Sequence, residues 1–345
     1  MDAPAGGNAR FDISSLPLPL IQAPMAGGPS TPELAAAVSS RGGLGFLAAG
    51  YKPAAAVKSE IEATRRLTGA PIGVNVFVPQ PPVISPGALE QYALSLAPDA
   101  GRFGVTLGDP RHDDDDWDNK IEVLLEHVPE AVSFTFDVPE SAVIGALQQR
   151  GACVIGTVTS RPEAMRALDA GVDVLCVQGP EAGGHRGTFD TARRPEGESL
   201  HGLLEELADL GVPLIAAGGI ATGADVRGAL SRGAVAVQAG TAFLRADEAG
   251  TKAAHRLALS TGRFTTTAVT RAFSGRNARG LYNEFMRRHD GEAPDGYPEI
   301  HHLTTPLRAA AAAAGDADWL NLWAGTGFDR TVAGPAAHIL AALRP

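Results

Sequence analysis

The sequence predicts an α/β fold, a (βα)8 barrel of the TIM type, and two observations carry that prediction. Eight short apolar runs recur along the 345-residue chain, and segments of helical character alternate with them. Most of these runs are apolar throughout, as expected of parallel strands that helices cover on both faces. Eight alternations favour a closed barrel, while an open doubly wound sheet remains the alternative.

The predicted strands and helices alternate from residue 20 to residue 238. Strands are expected at 20–24, 44–48, 73–78, 131–136, 153–158, 174–178, 213–217 and 234–238. Helices are expected at 33–40, 55–67, 117–127, 141–150, 162–170, 200–210 and 224–232. Barrel enzymes place their chemistry at the carboxyl ends of the strands, so the loops there are the expected location of a site.

Two segments are too long for a minimal barrel. Residues 80–116 follow the third strand, and residues 247–316 follow the eighth. Long excursions in compact folds often form lids or binding loops. We therefore expect a barrel over 12–246, a smaller, mainly helical substrate domain over 247–316, and a C-terminal segment over 317–345 that returns to the barrel.

Composition excludes several classes of function. The chain is 44% apolar and 20% charged, which is typical of a globular protein. Its formal charge of −10, without a basic cluster, argues against a nucleic-acid partner. No apolar stretch is long enough to span a bilayer, and no secretory signal precedes the first strand. The expectation is a cytoplasmic protein without a membrane partner, either a monomer or a homodimer.

Metal binding and thiol chemistry are not expected. Cys153 and Cys176 lie inside apolar runs, which indicates buried thiols in a reducing compartment. The acidic run 113–116 precedes a predicted helix and is interpreted as solvated charge. His301 and His302 lack a third ligand at helical spacing, so no metal site is predicted.

The loop after the sixth strand supplies the candidate catalytic residue. The run CVQGPEAGGHRG ends its apolar part on Gln178, and Gly183 and Gly184 leave room for a ligand beside His185. An isolated histidine usually lies on the surface. His185, however, follows a barrel strand and sits among glycines, which favours a functional role.

The ends of the seventh and eighth strands predict a phosphate site. Loops after these strands commonly build the phosphate pocket of such barrels, and glycine can aim backbone amides inward at small steric cost. The residues are Gly218, Gly219, Gln238, Ala239, Gly240 and Thr241. Together with His185 they predict a phosphate-bearing cofactor beside a titratable side chain.

Two further positions are open to two interpretations. The turn after the first strand, at Ala23, Pro24, Met25 and Ala26, either caps a helix or lets a flat ring approach the backbone. Asn75 carries a buried amide on the third strand, which either pairs with loop backbone or binds a cofactor.

Six separated motifs together resemble the nitronate monooxygenase family, formerly called 2-nitropropane dioxygenase, of the bacterial class I. They are QAPMAGGPSTPELAAAV, GVNVFVP, VQGPEAGGHRG, QAGTAFL, FSGRNARGL and NLWAGTG, and the resemblance runs from about residue 18 to residue 330. It implies an FMN-containing barrel with a smaller substrate domain. The family's closing motif commonly reads WAGQG, whereas this chain has Thr326 at the fourth position.

The resemblance also implies roles for individual residues. FMN would be held by the glycine-rich strand ends, the first-strand turn, Asn75 and Gln178, with His185 near the reactive edge of the flavin. Tyr297 and the segment HHLTTPLR, which contains His301 and His302, would face the substrate, with His302 as the expected contact.

The implied activity is oxidation of alkyl nitronates by O2 to a carbonyl product and nitrite through a flavin semiquinone. The expected substrate is propionate 3-nitronate, and the implied biological setting is nitroalkane detoxification or a biosynthetic step. His185 would donate a hydrogen bond to the nitronate or accept the α-proton of a nitroalkane. Two alternatives remain: an FMN-dependent NAD(P)H oxidoreductase of the enoyl-ACP reductase or quinone reductase type, and a non-catalytic nucleotide-binding barrel.

Overall fold

A closed parallel barrel forms the centre of the molecule. In the computed structural model, which describes residues 10–191 and 197–345, eight parallel strands close into one barrel, and β1 pairs with both β2 and β9. The strands of the molecule are β1 (Leu20–Gln22), β2 (Leu44–Ala48), β3 (Ile72–Phe77), β4 (Ala131–Thr135), β5 (Cys153–Val158), β6 (Val174–Gln178), β7 (Gly184–His185), β8 (Leu214–Ala217), β9 (Ala234–Ala239), β10 (Thr267–Thr270) and β11 (Ala278–Leu281). All except β7, β10 and β11 belong to the barrel, so the predicted TIM barrel is confirmed.

Helices alternate with the barrel strands and continue beyond them. They are α1 (Pro32–Ser39), α2 (Ala54–Leu67), α3 (Pro86–Phe103), α4 (Trp117–Glu126), α5 (Ser141–Gln149), α6 (Arg161–Ala170), α7 (Leu200–Leu207), α8 (Gly223–Leu230), α9 (Ala253–Ala258), α10 (Glu284–His289), α11 (Glu299–Ala313) and α12 (Ala336–Ala342). Local signals set several boundaries. Thr31 caps α1 with Pro32 in the first turn, Thr222 and Asp225 form a capping box on α8, and Gly104 ends α3 at φ +64°.

Alternate residues of each strand divide the barrel's core into two layers. Inside the barrel lie Leu44 and Phe46 of β2 with other buried residues of their layer, while Leu47 packs outward against the helices. Gly73 is required beside this layer, because a Cβ there would lie 2.4 Å from the Phe46 ring. Cys153 and Cys176 are both free and buried, as the sequence predicts.

A second hydrophobic core lies beside the barrel. It is formed mostly by residues between 244 and 328, with Phe273, Phe285 and Trp319 among its largest side chains. Tyr92 and Leu96 of α3 also belong to it, so the excursion after β3 contributes a helix that the sequence did not predict. The division at residues 247 and 316 stays a prediction.

A small antiparallel sheet connects this second core to the candidate site. Its strand order is β10–β11–β7, and His185 of β7 pairs with Ala278 of β11. The region around the second core is therefore not helical throughout. No helix among the described residues has the length and apolar character needed to cross a membrane.

Candidate active site

A cavity of about 450 Å³ opens at the carboxyl ends of the barrel strands. Its volume falls in the range of small-molecule sites. Every predicted barrel position lines it: Ala23, Pro24, Met25, Ala26, Asn75, Gln178, Gly183, Gly184, His185, Gly218, Gly219, Gln238, Ala239, Gly240 and Thr241. Residues that follow the barrel strands form an outer wall of the cavity, which includes Ser274, His301, Arg308 and Trp323.

Glycines shape the end of the cavity near β8 and β9. Gly218 and Gly219 adopt φ values of +119° and +71°, a region that strongly favours glycine. A Cβ on Gly183 would lie 2.4 Å from the backbone nitrogen of Gly325, so the two chain segments touch there. The Gly325 amide donates to Thr241 Oγ1 at 2.9 Å, which leaves the Thr241 hydroxyl hydrogen available to a ligand.

Hydrogen bonds from two buried side chains fix the turn after β1. Ser30 Oγ accepts from the Met25 amide at 2.9 Å and from Gln22 Nε2 at 2.9 Å. Gln22 also donates to the Ala23 carbonyl and accepts from the Phe46 amide at 3.1 Å. This turn is therefore preformed, and Gln22 and Ser30 support it without lining the cavity.

The amides of Asn75 and Gln178 are already partly engaged by the protein. Asn75 Nδ2 donates to the Ser133 carbonyl, to Ser133 Oγ and to Thr135 Oγ1 at 2.9–3.1 Å. Gln178 donates to the His185 carbonyl at 3.0 Å and accepts from the Gly187 amide at 2.8 Å. Gln178 thus holds the histidine loop in place from the end of β6.

The hydrogen bond between His185 and Ser274 determines which ring nitrogen carries a proton. His185 Nε2 lies 2.8 Å from Ser274 Oγ, and Ser274 Oγ donates to the Arg276 carbonyl at 3.3 Å. With its hydrogen used there, the hydroxyl accepts from His185, so we assign the proton of the neutral ring to Nε2 and the lone pair to Nδ1.

An aromatic and cationic environment keeps His185 neutral. The ring meets Phe136, Tyr297 and Trp323 edge-on, with centroids 5.9, 5.8 and 5.5 Å away. Although it keeps some surface open to the cavity, surrounding protein lowers its pKa to about 3, mainly by burial and further through Arg276 and Arg308. It is therefore a neutral hydrogen-bonding group near pH 7.

Arg308 gives the outer wall of the cavity a positive charge. Its guanidinium donates to Thr305 Oγ1 at 2.8 Å, to the His301 carbonyl at 2.9 Å and to His301 Nδ1 at 3.4 Å. No carboxylate pairs with it among the described residues. Burial lowers its pKa to about 10, so it remains charged at neutral pH. An anion in the cavity would find an unpaired cation.

The ring of Tyr51 stacks on His301 and completes this wall. The two rings are parallel within 1°, with centroids 4.2 Å apart. Burial, followed by the charge of Arg308, lowers the pKa of His301 to about 2, so the ring stays neutral. Because Nδ1 accepts from Arg308, its proton lies on Nε2. His301 and Arg308 both belong to the segment HHLTTPLR, which the resemblance expects to face the substrate, and both line the cavity. The sequence assigned no role to Tyr51.

The two predicted substrate residues lie at different distances from the cavity. Tyr297 lies behind its surface, in contact with His185 and Phe136. His302 does not line the cavity, and its Nε2 lies 2.7 Å from Asp113 Oδ2. Its neighbour His301 takes the cavity position instead, because consecutive residues of α11 point about 100° apart around the helix axis.

Sequence comparison gives the chain its family. The sequence model of the family described as nitronate monooxygenase matches residues 11–344. The chain belongs to the nitronate monooxygenase family. The resemblance indicated by the six motifs is thereby confirmed. The family consists of flavin-dependent oxidoreductases, so the prediction that the protein is an oxidoreductase enzyme is also confirmed.

Two curated relatives named probable nitronate monooxygenase are similar to most of the chain. The protein of Staphylococcus saprophyticus is 40% identical over 316 residues, which cover 89% of this chain and 88% of that protein. The protein of Bacillus subtilis is 37% identical over 320 residues, or 91% of each.

Solved structures resemble the chain over nearly its whole length. A nitroalkane oxidase from Streptomyces ansochromogenes is 47% identical, with a TM-score of 0.92 over 95% of each chain. FabK from Thermotoga maritima is 25% identical, with a TM-score of 0.73 over 96% of this chain and 93% of its own.

Thr326, which replaces the glutamine common in nitronate monooxygenases, stays near the glycine-rich end of the cavity. Its amide donates to the Glu181 carbonyl at 3.0 Å, while the adjacent Gly325 and Gly327 line the cavity. Thr326 Oγ1 would lie 3.7 Å from a Cβ placed on Gly219. The backbone connection between this segment and the loop after β6 therefore does not need the glutamine side chain.

Proposed function

We propose that this protein uses FMN and O2 to oxidise alkyl nitronates to a carbonyl compound and nitrite. One observation carries the proposal: a neutral imidazole, that of His185, and an unpaired cation, that of Arg308, line the same glycine-walled cavity. A nitronate is an anion that must be bound in water-poor surroundings beside a flavin. Arg308 provides the positive charge for it, and His185 provides a hydrogen-bonding group.

The residues at the barrel end of the cavity fit FMN. Glycines at 218, 219 and 240 admit close approach of a phosphate to the backbone, and the Thr241 hydroxyl hydrogen is available to it. The preformed turn at 23–26 offers backbone to a flat ring system, with Asn75 and Gln178 beside it. When bound, the flavin would supply the one-electron redox chemistry with O2.

Arg308 supports a substrate with a second negative group. Its guanidinium can bind a carboxylate while the nitronate end lies toward His185, and its charge contributes to the low pKa of that histidine. Propionate 3-nitronate carries both groups. We therefore propose it as the preferred substrate over simple alkyl nitronates.

His185 orients the substrate or handles its proton, depending on the form supplied. With Nε2 held by Ser274, the Nδ1 lone pair can accept the α-proton of a neutral nitroalkane. If the Ser274 hydroxyl turns its hydrogen toward Nε2, the ring can donate from Nδ1 to a nitronate oxygen. The overall reaction balances as two nitronates and one O2 giving two carbonyls and two nitrites.

The remaining expectations are part of the same proposal. We infer a cytoplasmic enzyme, monomeric or homodimeric, whose barrel over 12–246 holds the cofactor and whose segment 247–316 faces the substrate. Among the described residues, no group of three or more histidine, cysteine, aspartate or glutamate side chains is arranged to hold a metal.

An anaerobic titration tests the function. The purified protein, reconstituted with FMN, is mixed without oxygen with propionate 3-nitronate, with NADH or with NADPH, and its absorbance is recorded. We expect reduction of the flavin by the nitronate alone, followed by nitrite release and O2 consumption when air is admitted. The proposal is wrong if NADH or NADPH bleaches the flavin rapidly and the nitronate does not. A protein that takes up no FMN would instead be a non-catalytic barrel.

A further inference from the structure

The described chain has four non-glycine residues with positive φ, and each lies either at the cavity or in the loop that bonds to residues 51–54. They are Tyr51, Asp115, Asp116 and Phe136, with φ between +57° and +83°. Such a conformation costs about 1 kcal/mol or more for a residue with a side chain, and it persists only where surrounding contacts enforce it. Tyr51 and Phe136 themselves line the cavity.

The backbone of Tyr51 is bonded to Asp115, which in turn pairs with the buried Lys120. The Tyr51 amide donates to Asp115 Oδ1 at 2.9 Å, and Asp115 Oδ2 lies 2.8 Å from Lys120 Nζ. The Lys120 side chain is fully buried, and that of Asp115 is 20% exposed. Among the described residues, Asp115 Oδ2 and Lys120 Nζ have no partner other than each other.

The same acidic run reaches the other elements that frame the cavity. Asp116 Oδ2 accepts from the Ala54 amide at 2.7 Å, at the start of α2, and Asp113 Oδ2 lies 2.7 Å from His302 Nε2 on α11. The expectation that residues 113–116 are solvated charges is therefore wrong for Asp113, Asp115 and Asp116, whereas Asp114 is exposed. The carboxylates of Asp116 and Asp113 connect the loop before α4 to α2 and to α11.

We propose that Asp115 and Lys120 are positioning residues, which hold Tyr51 so that its ring fixes His301 and Arg308 for the anionic end of the substrate. The chain of contacts is continuous. Asp115 holds the Tyr51 backbone, the Tyr51 ring stacks on His301 at 4.2 Å, and His301 accepts from Arg308 through both its carbonyl and Nδ1. This role rests on the proposed function, since it concerns binding of a carboxylate-bearing nitronate.

The kinetic test compares two substrates. Asp115→Ala removes the acceptor for the Tyr51 amide, and we expect it to raise the KM for propionate 3-nitronate about tenfold while affecting ethyl nitronate, which lacks a carboxylate, much less. Asp118→Ala is the matched control, because Asp118 is an exposed acid in the first turn of the same helix α4. Equal losses with both nitronates would show that Asp115 only supports the fold.

Two further variants separate positioning from stability. The double variant Asp115→Asn with Lys120→Met replaces the ion pair by neutral groups of similar shape and keeps an acceptor for the Tyr51 amide, so we expect it to restore the wild-type KM. Tyr51→Gly removes the ring but adopts positive φ without cost. Adding Asp115→Ala to Tyr51→Gly should change the KM little, whereas additive effects would overturn the proposal.

Crystal structures of the wild type and of Asp115→Ala, both without substrate, test the same role directly. We expect the Tyr51 ring to leave its stack on His301 in the variant. A ring that keeps its place would overturn the inference. This comparison needs no turnover, so it remains decisive if the wild type oxidises neither nitronate and the proposed function fails.

Discussion

At the scale of single residues, His185 combines a fixed position with a low affinity for protons. Its backbone carbonyl accepts from Gln178, and its ring nitrogen is bonded to Ser274, so removing the ring leaves the loop's backbone contacts intact. We expect His185→Ala to keep bound FMN but to lower kcat/KM for nitronate at least about a hundredfold, the usual cost of removing a hydrogen-bond donor from a reacting anionic oxygen.

FMN absorbance and steady-state rates check this prediction together. The control is His338→Ala, which removes an exposed histidine from α12. Wild-type rates in His185→Ala would remove the histidine from the reaction, and loss of FMN would mean that it serves binding.

Arg308 permits a charge-specific prediction at the same scale. Its guanidinium lacks a carboxylate partner among the described residues, so a substrate carboxylate is expected to provide one. Loss of a charge-assisted hydrogen bond costs about 1.5–3 kcal/mol, so Arg308→Leu should raise the KM for propionate 3-nitronate about tenfold to a hundredfold. Arg308→Lys should recover part of the loss.

The comparison substrate is ethyl nitronate, whose KM should change little in Arg308→Leu. Arg66→Leu, which removes an exposed cation from α2, controls for the altered net charge. A similar rise in KM with both substrates would contradict carboxylate binding by Arg308.

At the scale of elements, alanine substitutions at two glycines should change the free energy of unfolding in opposite directions. A Cβ on Gly45 of β2 would lie 2.1 Å from the Ala35 carbonyl oxygen on α1, so Gly45→Ala must push a helix off the barrel. We expect the free energy of unfolding to fall by about 3 kcal/mol. Gly145 in α5 has open space at this position, so Gly145→Ala should raise it by about 0.5–1 kcal/mol. Denaturant unfolding measures both, and equal shifts would contradict the packing.

The barrel strands could be predicted because the composition of each short segment indicates that it is buried. A strand covered on both faces is apolar at nearly every position, and β5 and β6 have the bounds that the sequence indicates. Where a strand ends, its glycine and polar residues face the cavity, so the predicted barrel positions come together once the barrel closes.

The outer wall could not be predicted because its geometry depends on distant pairing. The two residues of β7 have no periodicity of their own and become a strand only by pairing with Ala278 and Arg279 of β11. The helix α3 was obscured by Pro98 in its interior, although Tyr92, Leu96 and Ala100 follow one another at intervals of four on its buried face. The contact of Tyr51 with His301 likewise joins residues 250 positions apart.

At the scale of the whole molecule, three neutral histidines that line the cavity make stability depend on pH. Burial lowers the pKa of His185 to about 3, of His255 to about 4 and of His301 to about 2. In the unfolded chain these groups titrate near pH 6.5, so below that pH the unfolded state binds more protons than the folded state. The free energy of unfolding is therefore highest above about pH 7 and falls as the pH decreases.

Each histidine should contribute a loss of up to about 2 kcal/mol between pH 7 and pH 5. Thermal unfolding of the FMN-free protein across that range measures the loss. His255→Gln removes one of the three groups and should flatten the dependence; an unchanged slope would mean that His255 does not keep its low pKa in solution.

The pairing of β7 with β11 connects His185 both to the barrel and to the outer segment that carries β11. His185 follows the end of the barrel strand β6 by seven residues, but its ladder partner is Ala278, and Ser274, which bonds its ring, comes from the same outer segment. Exchanging that segment between homologues to alter substrate specificity would thus also change the contacts that position His185. A working chimera would have to transplant the loop after β6 together with the segment that carries Ser274 and β11.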